Sequence, residues 1–392
     1  MVIMKRLLLL LAVLILPLPT IARDYLCDLN RDGKVDVSDA VILSQIILAD
    51  SIPDEYSLDN VTTLEYSNPV FIYDWPDPTV WQGDDGLYYS YSTAGTQASY
   101  TNGLGKFLYS ADMVQWEMID DYVIDEATRT QLAKIGQNFW APQVIRIKDQ
   151  WLMYLTVRSS ATTSAIVVLS FDSPTFPAAD GSHGPWKYRN CLTQTKTNKI
   201  NDNIDPCVTV DHETGKVWLF FGSTGKDYRV ELSDDGLELA KDAQYTHVAG
   251  LALTSGTNRE KVFEGSYLYY RAPYWYYFVS SGQYDSYNYQ LKVGRSEHLT
   301  GVFLDREGRP MTEGYATTLL STPDSKGYFW GPGHCGEIFT GAFGQTYMFY
   351  HSHSKATDKT ERRSLMLQRI HWDKDGWPYF HMAGPQQLER LR

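Results

Sequence analysis

Pro76-Asp77-Pro78-Thr79-Val80-Trp81-Gln82-Gly83-Asp84-Asp85-Gly86-Leu87-Tyr88-Tyr89-Ser90-Tyr91-Ser92 reads as an acidic turn, a short apolar run, a second tight turn and an aromatic strand. Gly and Asp bound the runs, and aromatic residues fill them, which is the pattern of paired β-strands. The same parts return four times. Strand-like runs begin at Leu87, Trp151, Val217, Tyr274 and Thr346, spaced 64, 66, 57 and 72 residues apart. A polar or turn-forming marker stands ten to twelve residues before each: Asp77, Ala141, Asp205, Glu264 and His334. Further strand candidates follow at 105–110, 165–170, 227–232, 290–295 and 364–370. Similarity at a fixed period marks a repeat architecture. About four strands per repeat and five repeats predict an all-β fold, a five-bladed β-propeller over residues 69–382. Helical periodicity is weak throughout this body.

Composition agrees with a packed, exported protein. Of 392 residues, 43% are hydrophobic and 14% aromatic, far above a disordered chain. The net charge of −12 and the lack of any Lys/Arg cluster argue against nucleic-acid binding. A neutral polymer or small neutral ligand suits this surface. Residues 1–22 read as a signal peptide: Lys5 and Arg6, an apolar Leu7–Leu16 core, then small residues Thr20 and Ala22. That core is too short to span a membrane, so a secreted or periplasmic location is expected. The four cysteines, Cys27, Cys191, Cys207 and Cys335, are too scattered for a disulfide scaffold or a CxxC metal site. One disulfide, or free buried thiols, would both fit.

A short helical calcium-loop segment is expected at residues 23–49. Asp28, Asn30, Asp32, Asp36 and Asp39 fall at the oxygen-bearing positions of a calcium loop, Gly33 at its sharp turn, and Lys34 at the position that gives a backbone carbonyl. Ala40, Val41, Leu43, Ile46 and Ile47 could line one face of a helix leaving the loop. The segment resembles half of a dockerin. A dockerin carries two such repeats, and the single copy here argues against cohesin docking. Residues 50–68 read as linker and 383–392 as a C-terminal tail.

If each marker opens the innermost strand of its blade, all five ring one mouth of the axis. Asp77, Asp205 and Glu264 then converge, with His334 beside them. Taken singly, Asp-Pro and Glu-Gly are ordinary turn dipeptides, but three acids at one phase of a repeat point to chemistry. Two carboxyls cleave a glycosidic bond, one as proton donor and one as base or nucleophile. A neighbouring carboxylate keeps the donor protonated, which gives a use to the third. Trp75, Trp81, Phe139, Trp140, Tyr274, Trp275 and Trp330 offer rings either for sugar stacking or for blade packing. Ser266 and Arg271, downstream of Glu264, join Trp75, Phe139, Trp140, Trp275 and Trp330 as candidate substrate-binding residues.

These landmarks resemble glycoside hydrolase family 43, and within it the arabinanases. The resemblance rests on Trp-Pro-Asp-Pro at 75–78, Phe-Trp-Ala-Pro-Gln at 139–143, Ile-Asp-Pro at 204–206, Phe-Glu-Gly at 263–265 and Gly-Pro-Gly-His at 331–334. Val-Gly-Arg-Ser at 293–296, Asp-Arg-Glu-Gly at 305–308 and Trp-Asp-Lys-Asp-Gly-Trp-Pro at 372–378 narrow it to the arabinanase side. The resemblance implies an inverting hydrolase, with Asp77 as general base, Glu264 as general acid and Asp205 tuning the acid. It implies a central ion, often calcium, beside His334 and reached partly through water. One His cannot build a zinc site. The implied substrate is plant cell-wall arabinan or arabino-oligosaccharides, cut internally at α-1,5-L-arabinofuranosyl linkages. Exo-acting arabinofuranosidase or β-xylosidase activity, and a non-catalytic carbohydrate-binding propeller, are the alternatives. Cys335 and the Glu264-Gly265-Ser266 run depart from the family pattern.

Overall fold

A computed structural model describes residues 61–93, 106–120, 123–160, 163–325, 329–341, 344–354, 363–381 and 386–391. The export signal and the 28–39 loop lie outside these residues. Five four-stranded antiparallel sheets follow one another along the chain, each in sequential order. The first is β2 (Thr79–Gln82), β3 (Tyr88–Tyr91), β4 (Lys106–Ser110) and β5 (Glu117–Asp120). The second is β6 (Asn138–Ile147), β7 (Gln150–Ser160), β8 (Thr163–Phe171) and β9 (Trp186–Gln194). The third is β10 (Cys207–Val210), β11 (Val217–Ser223), β12 (Lys226–Leu232) and β13 (Thr246–Ala249). The fourth is β14 (Phe263–Arg271), β15 (Tyr274–Ser281), β16 (Gln290–Ser296) and β17 (Thr317–Leu320). The fifth is β18 (Phe329–Thr340), β19 (Thr346–Ser354), β20 (Arg363–Trp372) and β21 (Pro378–Phe380). The fold is a five-bladed β-propeller, as the repeat predicts.

Contacts divide the chain into two units, and residues 67–338 with 348–368 form the larger. Its core is built between blades, and period-two alternation explains it. On β7, Trp151, Met153, Leu155 and Val157 pack with Trp81, Tyr89, Tyr91 and Phe107 of the first blade. The intervening Leu152 and Tyr154 pack with Val208, Leu219, Phe221 and Val230 of the third. A strand buried on both faces reads as a continuous apolar run, which is why Trp-Leu-Met-Tyr-Leu shows no polar alternation. Each such side chain contributes roughly 1.5–3 kcal/mol on burial.

The segment before β2 pairs with the last blade. Val70 and Phe71 amides donate to Leu365 O at 3.0 and 3.4 Å, Leu365 N to Phe71 O at 3.1 Å, and Trp75 N to Arg363 O at 2.8 Å. The smaller unit holds its own antiparallel pair, β1 (Val61–Tyr66) with β22 (Gln386–Leu391). Both strands fall where the sequence reads as linker and tail. Val61, Thr62 and Thr63 are β-branched and suit a strand, a signal masked by the polar residues before them.

A ten-residue helix, α1 (Glu126–Ile135), lies between the first blade and the second. Asp125 caps it by accepting from Thr128 N at 2.7 Å. Its Thr128 hydroxyl in turn accepts from Tyr188 N on β9 at 3.0 Å. Cys191, Cys207 and Cys335 are free thiols.

Candidate active site

Five residues at the openings of the inner strands share one unusual backbone state. Asp77, Ala141, Asp205, Gly265 and His334 have φ of 51°, 41°, 56°, 62° and 52°. Non-glycine residues in this left-handed region carry a cost of about 1 kcal/mol or more. The ring of markers is therefore present, with one correction. In the fourth blade the left-handed position belongs to Gly265, so Glu264 stands one residue before the phase of the others. The reason is steric as well as conformational: a Cβ on Gly265 would lie 2.9 Å from His334 Nδ1. Bulges follow at Trp140/Gln143 and Glu264/Tyr267, where they re-aim the side chains.

Four of these positions are reached by a side chain on, or in the case of Thr93 just beyond, the second strand of the preceding blade. His351 Nδ1 accepts from Asp77 N at 3.0 Å. Thr93 Oγ1 accepts from Ala141 N at 2.8 Å, Thr156 Oγ1 from Asp205 N at 3.0 Å, and Ser280 Oγ from His334 N at 2.7 Å. The fifth, Ser223, donates to Glu264 Oε2 at 2.7 Å. All five are buried. The loop before Asp205 is held by fully buried Asn203, which accepts from Thr193 Oγ1 at 2.6 Å and donates to Ile200 O at 2.9 Å.

The three acids come together through a short chain of contacts. Asp77 Oδ1 lies 3.4 Å from His334 Nδ1, the His334 ring abuts Gly265, and Gly265 N donates to Asp205 Oδ2 at 3.0 Å. Their environments differ. Asp77 accepts from Thr93 Oγ1 at 2.6 Å and pairs with Arg363 Nη1 at 3.2 Å. Burial alone would raise its carboxyl, but the Arg363 guanidinium above all, then His334, hold it well below the usual range. Asp205 and Glu264 face the opposite balance. Burial pushes both up, and Asp205 is raised further by Glu264 and then by Asp77. Glu264 Oε1 accepts from Tyr289 OH at 2.8 Å. Tyr289 reaches it because Gly333 is bare: a Cβ there would fall 1.9 Å from the tyrosine ring. Burial lowers the proton affinity of His334, and takes that of His351 down to about 3, so His351 is neutral.

The predicted substrate-binding residues divide. Ser266 is buried in the bulge beside Glu264. Trp140 is half-buried, with the Arg158 guanidinium 4.6 Å from its ring centroid. Trp330 is half-buried and stacked between His353 at 3.7 Å and exposed Tyr287 at 4.8 Å. Trp75 and Phe139 are core residues. Trp75 is 3% exposed and spends its Nε1 on Ser90 Oγ at 2.8 Å, while Phe139 packs in the cluster between the first two blades. Arg271 and Trp275 sit at the wrong end of the fourth blade. Arg271 pairs with Tyr274 and Trp275 with Tyr270, seven residues along β14 from Glu264 for Arg271, or about 20 Å at strand rise. Trp81 and Tyr274 also leave the candidate list. Trp81 is a core ring, and Tyr274 shares the far end, with Arg295 over its face at 4.1 Å.

The sequence reading did not find Arg363, His351, Tyr289, Ser223, Thr93 or Asp227. Thr93, Thr156, Ser223, Ser280 and His351 do leave a faint signal, a polar residue near the end of each aromatic run. Arg363 has none, since only ring closure brings it to Asp77. Asp227 is fully buried on β12, accepts from Tyr277 OH at 3.1 Å, and is pushed well up by burial. Among the described residues, no three His, Cys, Asp or Glu side chains converge as a metal-binding group. His334 turns Nδ1 toward Asp77 Oδ1 at 3.4 Å.

The family model described as glycosyl hydrolases family 43 matches residues 66–378. The chain belongs to glycosyl hydrolase family 43. Family 43 relatives of both modes of action are similar to it. An extracellular exo-α-(1→5)-L-arabinofuranosidase of Cellvibrio japonicus is 26% identical over 294 residues, covering 71% of this chain and 81% of that protein. An extracellular endo-α-(1→5)-L-arabinanase of Bacillus subtilis is 26% identical over 311 residues, covering 78% and 87%. Among solved structures, Cellvibrio cellulosa α-L-arabinanase superimposes with a TM-score of 0.66 at 24% identity, covering 79% of this chain and 95% of that one. A Bacillus licheniformis endo-arabinanase gives a TM-score of 0.63 at 22% identity, covering 81% and 99%. Both share the fold.

Proposed function

We propose that this family 43 protein is an inverting arabinanase that cleaves α-1,5-L-arabinofuranosyl linkages within plant cell-wall arabinan and arabino-oligosaccharides. One observation carries the reading: at a single mouth, Asp77 is held ionised while the Asp205–Glu264 pair is driven to hold a proton. In water all three would be ionised at neutral pH; here burial pushes Asp205 and Glu264 toward the protonated form, while Asp77 is kept charged by its partners. Such a split between neighbouring carboxyls assigns base and acid.

Asp77 accepts a proton from a water molecule, whose oxygen forms the new bond to the anomeric carbon. The glycosidic C–O bond breaks on the other side, and its oxygen takes the proton of Glu264. Water attacks directly, so the configuration inverts. Arg363 stabilises Asp77 before the transfer. Burial and then Asp77 oppose ionisation of Glu264, and Asp205 titrates with it as a pair. Trp140 and Trp330, both half-buried, supply ring faces for sugars. A hydrated ion, calcium by the family resemblance, would be held at His334, and when bound it supplies positive charge near the attacked centre.

The arabinan substrate is supported by the names of the relatives and by an acidic chain that suits a neutral polymer. Export is supported by the signal-like residues 1–22 and by relatives described as extracellular. No helix among the described residues is long and apolar enough to cross a membrane. Internal cleavage competes with terminal release, which the Cellvibrio exo-acting relative favours. Sizing the products from linear arabinan and from xylan decides. A ladder of oligosaccharides supports internal attack, arabinose alone supports terminal attack, and no cleavage of arabinan ends the assignment.

A further inference from the structure

Four of the five side chains that join one blade to the next do the same thing. His351, Thr93, Thr156 and Ser280 each accept the backbone N–H of the left-handed residue in the following blade. Ser223 occupies the equivalent place between the third and fourth blades and does not. Its hydroxyl donates to Glu264 Oε2 at 2.7 Å, and the amide it would have held, Gly265 N–H, goes to Asp205 Oδ2 at 3.0 Å. One copy of a structural contact has been turned from backbone to carboxyl. The turn is possible because Gly265, and not Glu264, takes the left-handed position, which leaves the glutamate facing back toward β11.

We propose that Ser223 is a positioning residue for proton delivery, fixing the Glu264 carboxyl by its Oε2 edge while Tyr289 OH holds Oε1 at 2.8 Å. Ser223 is 2% exposed, so the bond is shielded from water. Its neighbours leave it no other role. Ser223 pairs with Lys226 across a tight β11–β12 turn, and no backbone amide of the fourth blade is bonded to its oxygen. The inference rests on Glu264 being the acid, and the experiment separates the two claims.

The test compares the wild-type protein with Ser223→Ala, Ser223→Thr and Glu264→Gln on arabinan and on a 4-nitrophenyl arabino-oligosaccharide. Nitrophenolate departs without a proton, so a defect in proton delivery shrinks on the aryl substrate. Ser223→Ala is expected to lower kcat on arabinan about tenfold or more with KM within about twofold, and to lose much less on the aryl substrate. Losing a donor to the carboxylate also moves the alkaline limb of the kcat profile to higher pH. Ser223→Thr restores both. Equal defects on the two substrates, or an unmoved limb, overturn the role of Ser223 if Glu264→Gln itself discriminates between them. Glu264→Gln losing both activities equally overturns the acid assignment, and the inference with it. Should the alanine protein not fold, Ser223→Cys keeps the volume, weakens the donor, and is read in the same way.

Discussion

At the residue scale, the site is a contrast between one carboxyl that is stabilised and two that are not. Replacing either end of that contrast removes the chemistry. Glu264→Gln and Asp77→Asn are each expected to cut turnover of arabinan by about 10²–10⁴-fold, Glu264→Gln with a melting temperature near wild type and Asp77→Asn with a lowered one, because it leaves Arg363 without its charge partner. A rate close to wild type in either protein dissolves its role. Arg363 carries a different burden. It and Asp77 are an inward-facing ion pair, 16% and 15% exposed. Removing one partner of such a pair costs about 3–5 kcal/mol, because the other is left buried and unpaired. Arg363→Ala should therefore lose both activity and stability, read by denaturant titration. Asp77, Asp205 and Glu264 were legible in the sequence because the repeat set them in phase, Glu264 to within one residue. Arg363 was not, because no spacing rule links it to residue 77. The aromatic residues were legible only by type. Sequence marks a ring, and only packing tells that Trp75 and Phe139 face inward while Trp140 and Trp330 keep an edge in solvent.

At the scale of elements, the starts of the second and third strands of each blade were read to within two residues, since both faces of these strands are covered and the runs are densely apolar. The fourth strands were not. β5, β13, β17 and β21 have three or four residues each, too few to show a period. Helix α1 escaped because its apolar positions are sparse, with only Thr128 and Leu132 buried. The Gly-Pro-Gly-His run at the start of β18 gains a physical account. Gly333 is bare so that Tyr289 can lie across it and reach Glu264. Gly333→Ala should displace that ring and lower kcat on arabinan, while Tyr289→Phe, which keeps the ring and loses only the hydroxyl, should fall less. The comparison is made by steady-state kinetics, and equal losses would show that the ring's position is immaterial.

At the scale of the whole molecule, the pH dependence of stability has an identifiable source away from the mouth. Glu337 is pushed up to about 7 by burial, against hydrogen bonds from Tyr267 OH and its own neighbour's amide. In the unfolded chain it titrates near its ordinary value, so the folded state binds more protons between the two. Stability is then highest below about pH 4.5, falls as pH rises, and levels above about 7, by roughly 3 kcal/mol from this group alone. Glu337→Gln should flatten that part of the curve in denaturant titrations from pH 5 to 8, and an unchanged slope would assign the effect elsewhere. The calcium-loop reading of residues 28–39 is tested on the full chain by calorimetry. Asp32→Ala should remove one equivalent of calcium binding, and a titration identical to wild type would reject it.

The segment from Val70 to Trp75 fastens the first blade to β20, and Asp77 follows it two residues later, with His351 and Arg363 of the last blade as its partners. The proposed general base thus hangs on the latch that turns an open fan of sheets into a circle. A molecule whose latch has slipped keeps most of its core and has already lost its base. Enzymatic activity in this chain is therefore a gauge of circularity: under mild denaturant it should fade together with amide protection at Phe71 and Leu365, ahead of the inner blades.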